Sequence, residues 1–288
     1  MRWQGRRGSA HIEDRRGTRG RGRGGGAMGG LGGLGLIAVL LIGWFFGVDV
    51  SPLLTGGGGS GGQAIQTTEI SAAEREEGQF VSVVLADTEE VWADVFRRQV
   101  EGDYQPATLV LFSGVTASPC GGANGATGPF YCPADRKAYL DTAFFTTLER
   151  QLGARGDFAA AYVVAHEIAH HVQNQLGILA QANRIRAQST EIDSNAISVR
   201  IELQADCYSG IWARFAEARF GAIEPGDLAE AVNAARRIGD DTLQRGAGRV
   251  PQPHTFTHGT SEQRAAWFQR GYDTGDMRAC DTFSADRL

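Results

Sequence analysis

Val164-Ala-His-Glu-Ile-Ala-His-His-Val172 is the stretch around which the rest of this 288-residue chain is read. It holds His166-Glu167-x-x-His170 within apolar spacing that predicts a helix from Phe158 to about Leu176. Asp157 stands as its cap and Gly177 as its stop. Histidines at i and i+4 project from one helix face, about one turn apart. Two imidazoles so placed can share one zinc ion at about 2.0–2.1 Å each. Glu167 follows the first of them, placed to take a proton from an activated water and pass it to a leaving amine. Val163, Val164, Ile168 and Val172 make the helix largely buried. Unpartnered polar groups are costly in such a place, which argues against a mere surface pair. His171 reads as a surface residue, or as one beside the ligands.

A catalytic zinc takes a third protein ligand and keeps a position open for water. No third histidine follows at the metzincin spacing, where Leu176 stands instead. Glu202-Leu-Gln-Ala-Asp206 lies 32 residues past His170, on a second long helical stretch running from about Ile192 to Phe220. Glu202 and Asp206 are again i and i+4 on one face. Glu202 is the expected third ligand. Asp206 can accept the free ring N–H of a ligand histidine and set its orientation. Ile201, Leu203, Ala205, Cys207, Ile211 and Trp212 leave little polar helix surface nearby, so an ordinary solvated acidic face is the weaker reading.

His166-Glu-Ile-Ala-His170 followed by Glu202-x-x-Ala-Asp206 resembles the gluzincin arrangement of membrane-associated peptidases such as the HtpX-type and CAAX-prenyl proteases. Thr257-His-Gly-Thr-Ser-Glu-Gln-Arg264 is similar to their Thr-His-Pro-x-x-x-x-Arg element, with Gly259 in place of proline. The whole chain more closely resembles the bacterial neutral zinc metallopeptidase family. That likeness takes in the opening Met1-Arg-Trp, Ile12-Glu-Asp-Arg-Arg-Gly17, a single apolar span, Phe130-Tyr-Cys-Pro133 and the helix bearing His-Glu-Ile-Ala-His-His-Val-Gln. The resemblance implies that His258 donates a hydrogen bond to the oxyanion of the tetrahedral intermediate, with His254 as a competitor for that role. Arg264 is expected to pair with an acidic group.

The N-terminal sequence is of a different kind. Residues 1–27 carry eight arginines against Glu13 and Asp14, and 21 of the 40 glycines fall within residues 1–62. The balance of the whole chain is −5, so a nucleic-acid binder driven by global charge is disfavoured, and 42% hydrophobic content rules out a wholly disordered chain. Gly24 to Val48 contains no charged residue, and residues 28–48 are long enough as a helix, about 31 Å, to cross a bilayer core. Arginines before the stretch and none directly after it predict a cytoplasmic N-terminus and an extracytoplasmic body. A cleavable signal peptide is the rival reading, but no clear cleavage site follows. The expected organisation is a basic cytoplasmic arm at 1–27, a transmembrane helix at 28–48, a Gly-rich linker at 49–64 and a metallopeptidase domain at 65–288. Together with the family resemblance, this places the chain in the bacterial cell membrane as a single-pass protein.

In the body, Thr88 is a plausible cap for a helix from Thr88 to Glu101. Ala107–Phe112, Phe130–Cys132 and Lys137–Leu140 read as strands. Further helices fit Thr142–Leu152, Asp227–Ile238 and Ser261–Gly271. The class is α+β: a mainly helical, zincin-like domain with a small sheet. Residues 128–132 can offer an edge strand to an extended substrate, or simply form a pinned hairpin. Cys120, Cys132, Cys207 and Cys280 allow three pairings. The expected ones are Cys120–Cys132, closing a Gly-rich loop, and Cys207–Cys280, tying the C-terminal tail to the second helix. Disulfides suit an exported body.

The leading expectation is a membrane-anchored endopeptidase with one zinc per chain, acting on peptide or protein substrates and not on nucleic acid. Its rivals are a non-catalytic scaffold that keeps the zinc fold and a zinc amidase acting on cell-wall peptides. The scaffold reading leaves Glu167 without a role.

Overall fold

The computed structural model describes residues 1–17, 70–124 and 128–288. The first helix, α1 (Ala72–Gln99), starts well before Thr88. Ser71 caps it, accepting from the Glu74 main-chain N–H while the Glu74 side chain accepts from Ser71. Thr88, expected as a cap, is buried mid-helix and returns its hydroxyl to the Leu85 carbonyl. A strong capping box thus lies upstream of the weaker signal.

One four-stranded sheet has the order β1 (Ile12–Asp14), β2 (Thr108–Phe112), β6 (Lys137–Asp141), β5 (Phe130–Cys132). The first three are parallel, and β5 is antiparallel to β6 at the edge. The pleat of β2 explains its continuous apolar run. Leu109 and Leu111 join the main helical core, while Val110 and Phe112 pack on the other face with Cys132 and Tyr139. A separate hairpin, β3 (Val115–Ser118) with β4 (Gly121–Asn124), was not expected from the sequence.

The helices α2 (Ala143–Arg150), α3 (Asp157–Gln175), α4 (Ile178–Arg186), α5 (Glu191–Phe220), α6 (Asp227–Arg237), α7 (Asp240–Gly246) and α8 (Ser261–Thr274) make up most of the rest. The mainly helical α+β class therefore holds, with α4 and α7 as additions. Gly156, not Asp157, occupies the cap position of α3. Gly177 and Gly221 end α3 and α5 in left-handed backbone conformations.

α5 and α8 approach so closely that side chains are excluded between them. A Cβ on Gly271 would lie 1.8 Å from the Cys207 carbonyl oxygen, and one on Gly210 would lie 2.0 Å from that of Phe268. Cys207, on the same stretch of α5, is bonded to Cys280 just beyond α8. The second disulfide, Cys120–Cys132, joins the hairpin to β5.

Residues 1–17, expected to be part of a free cytoplasmic arm, are instead part of the body. Met1 and Trp3 are buried in its core, and β1 pairs with β2 from Ile12↔Leu109 to Asp14↔Leu111. The Met1 ammonium lies 2.9 Å from Asp157 at the start of α3 and 3.2 Å from Asp227. Arg6 makes a two-pronged pair with the buried Asp87 on α1. Arg16 is held by Asp14 at 2.7 Å and lies over Gly78, where any Cβ would strike its guanidinium. Counting arginines could not reveal this, because their partners stand on distant elements. Residues 1–17 and the body are thus joined in one sheet and one core. A single membrane crossing between them would have to part β1 from β2. Removing these residues with a signal peptide would strip away β1. Among the described residues no helix is long and apolar enough to cross a membrane, and residues 28–48 lie outside them, as does the linker at 49–64.

Two measurements follow. Cysteines introduced singly at the exposed Gln4 and Glu101 will show the same labelling by a membrane-impermeant maleimide in intact spheroplasts; opposite labelling would overturn the β1–β2 pairing. Gly271→Ala will lower stability by about 1–3 kcal/mol or more, because the obstacle is main chain, and thermal unfolding will read this as a lowered Tm.

Candidate metal centre

The helix α3 is buried along nearly its whole length, which allows its polar residues to be held rigidly. His166 and His170 lie one turn apart, with ring centroids separated by 4.8 Å. α5 packs across α3 and brings Glu202 to both rings. Its Oε2 is 3.0 Å from His166 Nε2, and its Oε1 is 3.5 Å from His170 Nε2. Ligand atoms of these three residues all lie within 4.8 Å of one another.

The opposite ring nitrogens are also occupied. His166 Nδ1 is 2.9 Å from Asp206 Oδ1, an ion-pair contact whose alignment falls short of a good hydrogen bond. His170 Nδ1 lies 2.8 Å from Gln173 Oε1. The Gln173 amide is itself tied to the Ile201 carbonyl and to Gln204 on α5. Acceptors thus hold both Nδ1 atoms and turn both Nε2 atoms toward Glu202. Two imidazole nitrogens and one carboxylate in a polar pocket form a donor set that fits zinc.

Asp206 is fully buried and has four contacts from three side chains. Arg264 donates to it through Nε at 2.8 Å and Nη2 at 3.0 Å, Tyr162 donates its hydroxyl, and His166 stands beside it. The acidic group that Arg264 faces is Asp206. The same guanidinium lies 4.0 Å from Glu202.

Glu167 is buried, and its Oε2 has no hydrogen-bond partner. Burial pushes its carboxyl up to about 7, against the opposing pull of the His166 charge. Burial would also raise Glu202, but His170, His166 and His258 hold it well below the usual carboxylate range. Burial works against a charged His166, yet Asp206 and Glu202 raise it to about 9. Burial lowers His170.

His258 sits in a turn organised by Asp240, the first residue of α7. Oδ2 of Asp240 accepts the main-chain N–H groups of Thr257, His258 and Gly259 at 2.8, 2.7 and 3.0 Å, and Oδ1 faces His258 Nδ1 at 3.3 Å. Burial disfavours the His258 charge, but Asp240 outweighs it and raises the pKa. Gly259 has φ 93°, which the ring of the proline in the resembled element could not adopt. Thr260 then caps α8 in a box with Gln263, and the first turn of that helix aims Arg264 at Asp206. His254, the competitor, is exposed, and its carbonyl accepts from Asn195.

His171 is not on the surface. It is 1% exposed, with Nδ1 against the Tyr131 hydroxyl at 3.0 Å and Nε2 against the Gln105 carbonyl at 2.6 Å, so it ties α3 to β5. Gln173, Tyr162 and Asp240 were missed in the sequence. Gln173 is three residues from His170, a helical neighbour that spacing could have found. Tyr162 is likewise one turn before His166. Asp240 carries no local signal. The other carboxylate cluster, Asp157, Asp227 and Glu230, has the Met1 ammonium against two of its members.

The family described as "Putative neutral zinc metallopeptidase" matches residues 1–283. The chain is 46% identical to "Uncharacterized protein YpfJ" of Escherichia coli (strain K12) over 288 residues, covering 98% of this chain and 99% of that protein. It is also 46% identical to "Uncharacterized protein Rv2575" of Mycobacterium tuberculosis (strain ATCC 25618 / H37Rv) over 195 residues, 64% of this chain and 65% of that protein. No solved structure matches the chain.

Glu202→Ala will remove most zinc binding, measured by metal content after gel filtration. Gln173→Leu, which frees the His170 ring, will weaken zinc about 10–100-fold in competition with a chelator.

Proposed function

This chain belongs to the neutral zinc metallopeptidase family, and on that premise we propose that it is a zinc-dependent endopeptidase, with one zinc per chain, that hydrolyses peptide bonds with an activated water. The observation that carries this reading is the convergence of His166, His170 and Glu202 beside a buried carboxylate, Glu167, that has an unpartnered oxygen.

When bound, zinc supplies Lewis-acid polarisation and makes water acidic enough to lose a proton near neutral pH. The protein does the rest. Glu167 accepts the water proton and returns it to the leaving amine. Its pKa of about 7 suits both steps, because the group exchanges protons readily near neutrality. His258, which Asp240 holds on the Nδ1 side and shifts toward its protonated form, donates to the oxyanion that develops on the scissile carbonyl. Asp206 faces the His166 ring at 2.9 Å and is itself held by Arg264 and Tyr162, which favours one orientation of the ligand ring. No covalent intermediate with the protein is required.

A scaffold that merely kept its metal would gain nothing from Glu167. A buried carboxylate with an unsatisfied oxygen costs stability, and a scaffold has no use to set against that cost. The peptide character of the substrate is supported by β5, which pairs with β6 on one side and has no strand partner on the other among the described residues. Its free main chain suits an extended peptide. Membrane attachment is proposed from the apolar sequence 28–48, with residues 1–17 and the body on one face. The two disulfides favour an extracytoplasmic location for that face.

Glu167→Gln will keep its zinc and lose about 10²–10⁴-fold in kcat/KM on an unstructured protein substrate. Wild-type turnover in the zinc-loaded variant would sink the mechanism.

A further inference from the structure

A cavity of about 370 Å³ opens between the end of β5 and the last turn of α3, lined by Gln105, Pro133, Arg136, Asn174 and Gln175. Two of its walls locate it. Pro133 directly continues the edge strand β5, and Asn174 follows His170 by four residues on α3. Asn174 therefore lies one helical turn, about 6 Å, past a proposed metal ligand and on the same side of the helix. A peptide paired along the open edge of β5 would reach this cavity where Pro133 follows the strand.

The lining is rich in donors and contains no carboxylate. Arg136 is exposed, and among the described residues its guanidinium makes no hydrogen bond or ion pair. That sets it apart from Arg6, Arg15, Arg16 and Arg264, each bound to an acid. The neighbouring Asp135 does not neutralise it. One Asp135 oxygen accepts from the Tyr139 hydroxyl at 2.6 Å and the other from the Lys137 main chain at 3.3 Å. The Asn174 amide spends one N–H on the Tyr131 hydroxyl at 3.0 Å, which fixes its orientation and leaves its second donor. Arg136 is also the one non-glycine residue with positive φ among the described residues, at 59°. Its turn is closed by its own N–H on the Cys132 carbonyl at 2.9 Å. A glycine would sit there without strain, yet the position bears a guanidinium.

We propose that this cavity is a carboxylate-binding subsite of the peptidase, taking an acidic side chain or the terminal carboxylate of a peptide that lies along β5. Arg136 provides the forked, charge-assisted contact that planar carboxylates fit. Asn174 adds a neutral donor. The inference rests on the peptidase reading, so its test has an arm that needs no turnover.

Full-length protein is given matched peptides that differ only by Glu or Gln at one position, scanned along the sequence, each with a free or an amidated C-terminus. Wild type will favour one carboxylate over its neutral counterpart by about tenfold or more in kcat/KM. A Glu-over-Gln preference that persists in amidated peptides identifies the side chain; a preference for the free terminus identifies the terminal carboxylate. In Arg136→Gln the ratio will fall to near one. Arg136→Gly, whose backbone suits φ 59°, will do the same and controls for folding. The same ratios are read as affinities by fluorescence anisotropy on the zinc-loaded Glu167→Gln protein. Binding selectivity without any hydrolysis would count against the peptidase reading and keep the subsite. Hydrolysis with equal preference for charged and neutral peptides, or selectivity that survives both Arg136 variants, would overturn the subsite and leave the peptidase reading standing.

Discussion

The carboxylate of Asp206 is the point at which three helices are made to agree. It stands on α5, receives both donors of the Arg264 fork from α8 and the Tyr162 hydroxyl from α3, and faces the His166 ring. Burying a carboxylate and a guanidinium together carries a desolvation cost that only near-complete pairing can offset. Here the pairing is close to complete: Asp206 is held below its ordinary range by Arg264, despite full burial. Removing any one member would leave a buried charge or donor without its partner. The arrangement thus acts as a positional lock, and what it locks is the orientation of a proposed metal ligand.

That lock depends on how closely α5 and α8 pack. Gly210 and Gly271 let the two backbones touch, and the Cys207–Cys280 bond joins α5 to the tail just beyond the contact. A wider spacing would draw the Arg264 guanidinium away from Asp206. The N-terminal residues brace α1 through Arg6 and Asp87 and pair as β1 with β2. The sheet in turn sets β5 over α3, with His171 and Tyr131 as the hydrogen-bonded seam. The helix that bears the histidines is therefore tied both to its partner helices and to the sheet.

Electrostatics divides the site into distinct tasks. Glu202 and Glu167 are both buried carboxylates near the same histidines. Glu202 faces two imidazoles and stays ionised, suited to hold a cation. Glu167 lacks such a partner for one oxygen and is raised to about 7, suited to carry a proton. Separation of two carboxylates by environment is how a site of few residues obtains both a ligand and a base.

Much of this was legible in the chain itself, wherever the information is local. Helical spacing places His166 with His170 and Glu202 with Asp206, because i and i+4 share a face. Alternation and turn residues mark β2, β5 and β6 to within a residue or so. The pairing of four cysteines was narrowed by the loops they would close. Partnership across the fold was not legible. The sequence shows Arg6 and Arg16 only as positive charge, and the buried Asp87 and the parallel register against β2 make them structural. Asp240 carries no mark, since its three main-chain contacts exist only once the turn at Thr257–Gly259 folds over it. Periodicity along a chain encodes which residues share a face. Which face meets which partner is a property of packing in three dimensions, and only the tertiary structure decides it.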